Sequence, residues 1–176
     1  RGAELLRRAE VVLHDALVSP ALLDLVSPTA EIVDVGRRSG EARWLNQDRI
    51  NRMLVDLARR HEVVVRLKGG DPLVFGRGGE EALALFHAGI PFEIVPGVTA
   101  GVGALAYAGI PLTHRGLSVS ATLVTAHDAD DPETEASWGH LAAAEGTLVI
   151  YMGGERVHAV TERLMRLGRA HDTPAA

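Results

Sequence analysis

The 176-residue chain has no cysteine, a single lysine and few aromatic residues, 4% of the total. Without cysteine there is no disulfide scaffold, no thiolate metal site and no cysteine nucleophile, and a reducing cytoplasm is the natural setting. No apolar run approaches the about 20 residues of a membrane-spanning helix, and the opening Arg1-Gly2-Ala3-Glu4 has no hydrophobic signal core. These gaps predict a soluble cytoplasmic protein with no membrane partner. An excess of positive charge is missing as well: 18 Lys+Arg stand against 23 Asp+Glu, a formal net charge of −5. A dedicated nucleic-acid binder carries a basic footprint, so nucleic acid is not an expected partner.

All but one of the 18 basic residues are arginine, Lys68 being the exception. Drift in coding-sequence composition accounts for such an excess, but its chemistry stands regardless. Arginine stays protonated and grips carboxylates as a fork, so proton exchange falls to Asp, Glu, His, Tyr or Lys68.

Short β-branched runs at 10–13, 32–35, 63–67, 92–95, 121–125 and 147–151 alternate with segments of helical period. In 46–61, Ile50, Met53, Leu54, Leu57 and Ala58 form one stripe behind an Asn46 cap; 79–87 places Leu83 and Phe86 inward and stops at Gly89. After Gly154, Val157, Val160, Leu164 and Leu167 form a third helical stripe before Gly168. The rhythm predicts an α/β fold with parallel strands, whose carboxyl ends carry the ligand loops. Gly109, Pro111 and Gly116 put a seam near 114–118, giving an N-terminal α/β domain at 1–114 and the start of a second at 115–176. The chain opens in a helical segment and stops after a helix, which predicts sheets cut at both sides.

The connection after 63–67 is Lys68-Gly69-Gly70-Asp71-Pro72-Leu73-Val74-Phe75-Gly76-Arg77-Gly78-Gly79-Glu80-Glu81, with five glycines in the eleven residues 69–79. Backbone without Cβ lets a ligand come close, and the following helix N-terminus offers unpaired N–H donors. The loop reads as a ligand cradle. It is not a Walker A loop, since Gly-x-x-x-x-Gly-Lys-Ser/Thr is absent. Gly101-Val102-Gly103-Ala104-Leu105-Ala106 fits the Gly-x-Gly-x-x-Ala of a nicotinamide-dependent dehydrogenase, the remote alternative. Its first glycine stands six residues beyond Val95 rather than at a strand-to-helix turn, so close helix packing explains it better.

Arg66-Leu67-Lys68-Gly69-Gly70-Asp71-Pro72 followed by Phe75-Gly76-Arg77-Gly78-Gly79-Glu80-Glu81 resembles the signature of the uroporphyrinogen-III C-methyltransferases, within the tetrapyrrole methylase family. Val11–Ser19, Gly89-Ile90-Pro91, Val95–Ala100, Gly109–Arg115 and Tyr151-Met152-Gly153 agree with that family in order and spacing. The resemblance implies the tetrapyrrole methylase fold: two α/β domains with mainly parallel sheets, S-adenosyl-L-methionine in the cleft between them, a homodimer, and here an incomplete second domain. It also implies methylation of uroporphyrinogen III to precorrin-1 and precorrin-2, toward sirohaem and cobalamin. Another precorrin methyltransferase is the near alternative. The family's opening strand and Gly/Pro-rich loop have no counterpart before Arg1, so these 176 residues alone are expected to act poorly.

Carried over position by position, the resemblance implies cofactor contacts at Gly69, Gly70, Asp71, Val74, Thr99, Ala100 and Met152. A sulfonium cation with an adenine face and an amino-acid tail suits Gly-rich backbone, one hydroxyl and apolar walls. The proton acceptor matches Asp15, at the end of the first strand. Where a relative carries a lysine regarded as proton donor, this chain has Arg37, and an arginine is a poor donor at neutral pH. A carboxylate-binding role suits it better: uroporphyrinogen is a polycarboxylate, and Arg37, Arg38, Arg77 and Arg115 offer bidentate forks. His114 and His127 lie nearest the motif loops and are expected to be structural or at the surface. No spacing of histidines and carboxylates matches a metal site.

Overall fold

The structure, a computed structural model, describes residues 1–36, 43–127 and 131–176, with 43–46 as backbone. It forms two compact units, Arg1–Thr99 and Ala100–Ala176.

The first unit runs α1 (Gly2–Arg8), β1 (Val11–His14), α2 (Pro20–Leu23), β2 (Glu31–Asp34), α3 (Arg43–Ala58), β3 (Val64–Leu67) and α4 (Gly78–His87). Its sheet is parallel in the order β2–β1–β3, with Val11 opposite Glu31 on one side and Val64 on the other. Val11, Val12 and Leu13 are wholly buried because both faces are covered, as a parallel sheet requires. Val11 and Leu13 pack with Ile50, Leu54 and Leu57 of α3, the stripe read from the sequence. Val12 packs on the opposite face with Leu6, Ala9 and Val26.

Three expectations for the first unit need correction. The run at 92–95 is irregular, not a strand: no strand pairs with it among the described residues, and an apolar run extends as a strand only where a neighbour takes its hydrogen bonds. Helix α3 starts at Arg43, so Asn46 lies within the helix and is not its cap; the apolar stripe marks the core face but not the first turn. In α4, Leu83 and Phe86 point outward, 57% and 68% exposed, while Glu81 and Leu85 face inward. A buried ion pair, described below, sets that helix's phase. Its stop is as expected, with Ile90 N–H donating to the Leu85 carbonyl (3.0 Å) around Gly89.

The second unit runs α5 (Ala100–Tyr107), β4 (Ala121–Thr125), α6 (Glu135–Ala143), β5 (Thr147–Tyr151) and α7 (Val157–Arg166). Strands β4 and β5 pair in parallel. Ala126, Trp138, Ala142, Val160 and Leu164 form the core, while Val157, expected in the stripe, is exposed. Arg163 takes an inward place on α7: its guanidinium lies 5.2 Å from the Trp138 ring centre and donates to Glu135 (2.8 Å). The helix stops around Gly168, with Arg169 N–H donating to the Leu164 carbonyl (2.9 Å).

Candidate functional site

The parallel strands of the first unit all deliver their carboxyl ends to one edge, so Asp15, Gly36 and Lys68 follow β1, β2 and β3 there. Side chains alternate along a strand. Val65 and Leu67 pack on the α1–α2 face, so Arg66 and Lys68 share the other face with Val64, toward α3 and α4. Two cations there need anions. Glu81, in the first turn of α4 and 4% exposed, supplies one: its Oε1 accepts from Arg66 Nε (3.0 Å), Lys68 Nζ (3.3 Å) and Gln47 Nε2 (3.2 Å). Asp15 supplies the other, pairing with Arg66 Nη2 and, at 3.4 Å, with Lys68 Nζ. Asp15 is the most exposed member of this cluster, its side chain 34% exposed against 11% for Arg66 and 8% for Lys68. The only lysine of the chain is thus fixed between two carboxylates. Among the described residues, no buried side-chain nitrogen or oxygen lacks a hydrogen-bond partner.

The glycine-rich loop is braced by Asp71. One carboxylate oxygen accepts from Leu73 N–H (2.9 Å) and the other from Gly97 N–H (3.0 Å). These donors, Gly97 foremost, hold the Asp71 carboxyl below the ordinary aspartate value. Gly97 sits so close to the Gly70 carbonyl that any Cβ there would collide with it. Gly69 and Gly70 remain exposed, and Val74 is half-buried behind them. Phe75 and Arg77 adopt left-handed backbone, φ 51° and 57°. Such strain in non-glycine residues gathers where surrounding structure over-determines it, often at ligand sites. Here Gly78 N–H donates to the Pro72 carbonyl (3.0 Å), and the Arg77 fork grips Glu80 at 2.7 and 2.8 Å.

In the second unit Met152 follows β5 in left-handed backbone (φ 57°), exposed, its sulfur 4.0 Å from Thr125 Oγ1 at the end of β4. Ala100 opens α5 and is exposed; Thr99, the last residue of the first unit, is half-buried. Gly101 donates its N–H to Tyr151 Oη (2.8 Å), and a Cβ there would meet Tyr151 and Val149. That glycine serves helix-to-strand packing, the explanation preferred above to a dinucleotide fingerprint. Arg115 is exposed in the turn closed by His114 N–H to the Ser118 carbonyl (2.8 Å).

The fold therefore brings Asp15 to Arg66, Lys68 and Glu81, and Gly70 and Asp71 to Gly97. Arg37 and Arg38 lie outside the described residues. Among the described residues no group of three His, Asp or Glu is arranged to hold a metal ion. Arg66 and Glu81 stand within the motif without a role legible from the sequence, although the period-two alternation of β3 puts Arg66 on the same face as Lys68.

The family described as Tetrapyrrole (Corrin/Porphyrin) Methylases matches residues 1–176. Over its whole length the chain is 50% identical to a uroporphyrinogen-III C-methyltransferase of Synechocystis, of which it covers 67%. It is also 50% identical to siroheme synthase 2 of Yersinia pestis and spans 37% of that protein. Among solved structures, the uroporphyrin-III C-methyl transferase of Thermus thermophilus complexed with S-adenyl homocysteine aligns with a TM-score of 0.76 at 43% identity, over 96% of this chain and 69% of that one.

Proposed function

The chain belongs to the tetrapyrrole methylase family, and from that premise we propose that its protein uses S-adenosyl-L-methionine to C-methylate uroporphyrinogen III, giving precorrin-1 and then precorrin-2 on the route to sirohaem and cobalamin. The observation that carries this reading is the edge of the first sheet, where a backbone cradle rich in glycine adjoins a carboxylate fixed by two cations. We further infer a cytoplasmic homodimer.

The residues suit the cosubstrate. The exposed backbone at Gly69 and Gly70 presents peptide groups with no Cβ in the way, and the Asp71 bridge to Gly97 holds that backbone in shape. Gly69, Gly70, Asp71, Val74, Thr99, Ala100 and Met152 are the proposed contacts, with Val74 and Met152 as apolar walls. When bound, S-adenosyl-L-methionine supplies an electrophilic methyl group on a sulfonium. Positioning is the main work left to the protein. Asp15 is proposed to take the proton lost from the alkylated ring system; Arg66 and Lys68 keep its carboxylate fixed at the solvent-facing side of their cluster.

Arg37, Arg38 and Arg115 are proposed to bind the substrate carboxylates as forks. Arg77 joins them only by exchanging Glu80 for a substrate carboxylate. Replacing Arg37 by Ala in the full-length protein is expected to raise the KM for uroporphyrinogen about tenfold, with kcat nearly unchanged and Arg37→Lys in between. A collapse of kcat at constant KM would instead make Arg37 part of the chemistry. The activity itself is tested by incubating the full-length protein with S-adenosyl-L-methionine and uroporphyrinogen III and following product mass. Gain of one and then two methyl groups is expected; methylation of a later corrin intermediate with none on uroporphyrinogen III would overturn the proposal.

A further inference from the structure

We propose that Glu81 is a positioning residue for the reaction, holding Arg66 and Lys68 in the arrangement through which both cations fix Asp15. The proposal rests on the reading above that Asp15 is the proton acceptor.

Three observations support it. Arg66 Nε, Lys68 Nζ and Gln47 Nε2 all converge on one oxygen of Glu81, so this carboxylate acts as the hub of the cluster rather than as a partner to one cation. Arg66 then spans the two anions, with Nε on Glu81 and Nη2 on Asp15, and Lys68 Nζ does the same with its single nitrogen. A guanidinium bridging two carboxylates has little rotational freedom left, which transmits the placement of Glu81 to Asp15. The second observation is charge balance: two cations and two carboxylates make the cluster neutral, and loss of Glu81 leaves two cations facing Asp15 alone. The third is the phase of α4. The helix turns Glu81 inward and leaves Leu83 and Phe86 in solvent, the reverse of what apolar burial favours. Glu81 is itself almost wholly buried and so acts through Asp15 rather than on a ligand.

The test compares wild type, Asp15→Asn, Glu81→Gln and the double variant of the full-length protein by steady-state kinetics, with S-adenosyl-L-methionine affinity from calorimetry and thermal denaturation alongside. Glu81→Gln is expected to lower kcat about tenfold or more while leaving KM and cosubstrate affinity within about twofold, and to add no further loss in the Asp15→Asn background. Glu81→Asp, which restores the charge, is expected to recover part of kcat. Wild-type kcat in Asp15→Asn would sink the assignment of the base. Loss of kcat in Asp15→Asn together with wild-type kcat in Glu81→Gln would overturn the positioning role alone, as would equal losses by Glu81→Gln in both backgrounds. Should Glu81→Gln fail to fold, Arg66→Gln takes its place: the shorter, neutral side chain cannot reach both carboxylates. The same loss of kcat, absent from the Asp15→Asn background, is then expected, and unchanged kcat overturns the proposal.

Discussion

Gly97 has no room for a side chain, because its Cβ position is already taken by the Gly70 carbonyl. Gly97→Ala forces apart the loop that carries Gly69 and Gly70. We expect it to destabilise the protein by about 1–3 kcal/mol in denaturant titration, and to weaken S-adenosyl-L-methionine binding in calorimetry. The same contact has a signature in pH. The Gly97 and Leu73 N–H groups lower the folded-state pKa of Asp71 below its ordinary value of 3.8. The unfolded chain therefore takes up this proton more readily than the folded one. The stability Asp71 contributes is complete above that ordinary value and drains away as pH falls from there through the folded-state value. Asp71→Asn is expected to flatten this part of the acid limb in a series of melting curves; an unchanged acid limb would show that the bridge to Gly97 contributes nothing to it.

At the scale of elements, α4 shows where pattern and physics part. Its apolar residues predict Leu83 and Phe86 inside, yet the buried partners of Arg66 and Lys68 decide the phase, since a buried cation without an anion costs more than an exposed leucine. Glu81→Ala is accordingly expected to cost about 3–5 kcal/mol by chemical denaturation, as breaking one side of a buried pair does. Leu54→Ala on α3 should fall in a similar range, about 2–5 kcal/mol, through cavity formation alone. The five strands were legible because β-branched runs bounded by turns have few other uses, and α3 because its stripe keeps a period of 3.6 over more than two turns. The run at 92–95 misled because an apolar sequence reads the same whether or not a neighbour is there to pair. Helix α6 went unread: its alanines and Gly139 leave a weak stripe, and burial of Trp138 and Ala142 emerges only with the fold. The glycine-rich loop was visible in its spacing. The cluster of Asp15, Arg66, Lys68 and Glu81 was not, because its members are drawn together across three elements by strand register and helix phase.

For the molecule as a whole, the two compact units keep separate cores, and each ties an arginine to a glutamate, its side chain 11% exposed in the first and 6% in the second. In the second, Arg163→Ala removes the contact over Trp138 and the bonds to Glu135, an expected loss of about 2 kcal/mol. Trp138 fluorescence in a Trp44→Phe background is the measurement that checks it. The first unit offers a probe already in place. Lys68 is the chain's only lysine, and its side chain is 8% exposed, locked between Asp15 and Glu81. An amine-directed reagent thus meets a single side-chain target within these 176 residues, and meets it only when the ion cluster opens. The rate at which the peptide bearing Lys68 becomes labelled is a clock for the breathing of the proposed catalytic edge, read by mass spectrometry without introducing any foreign group into the protein.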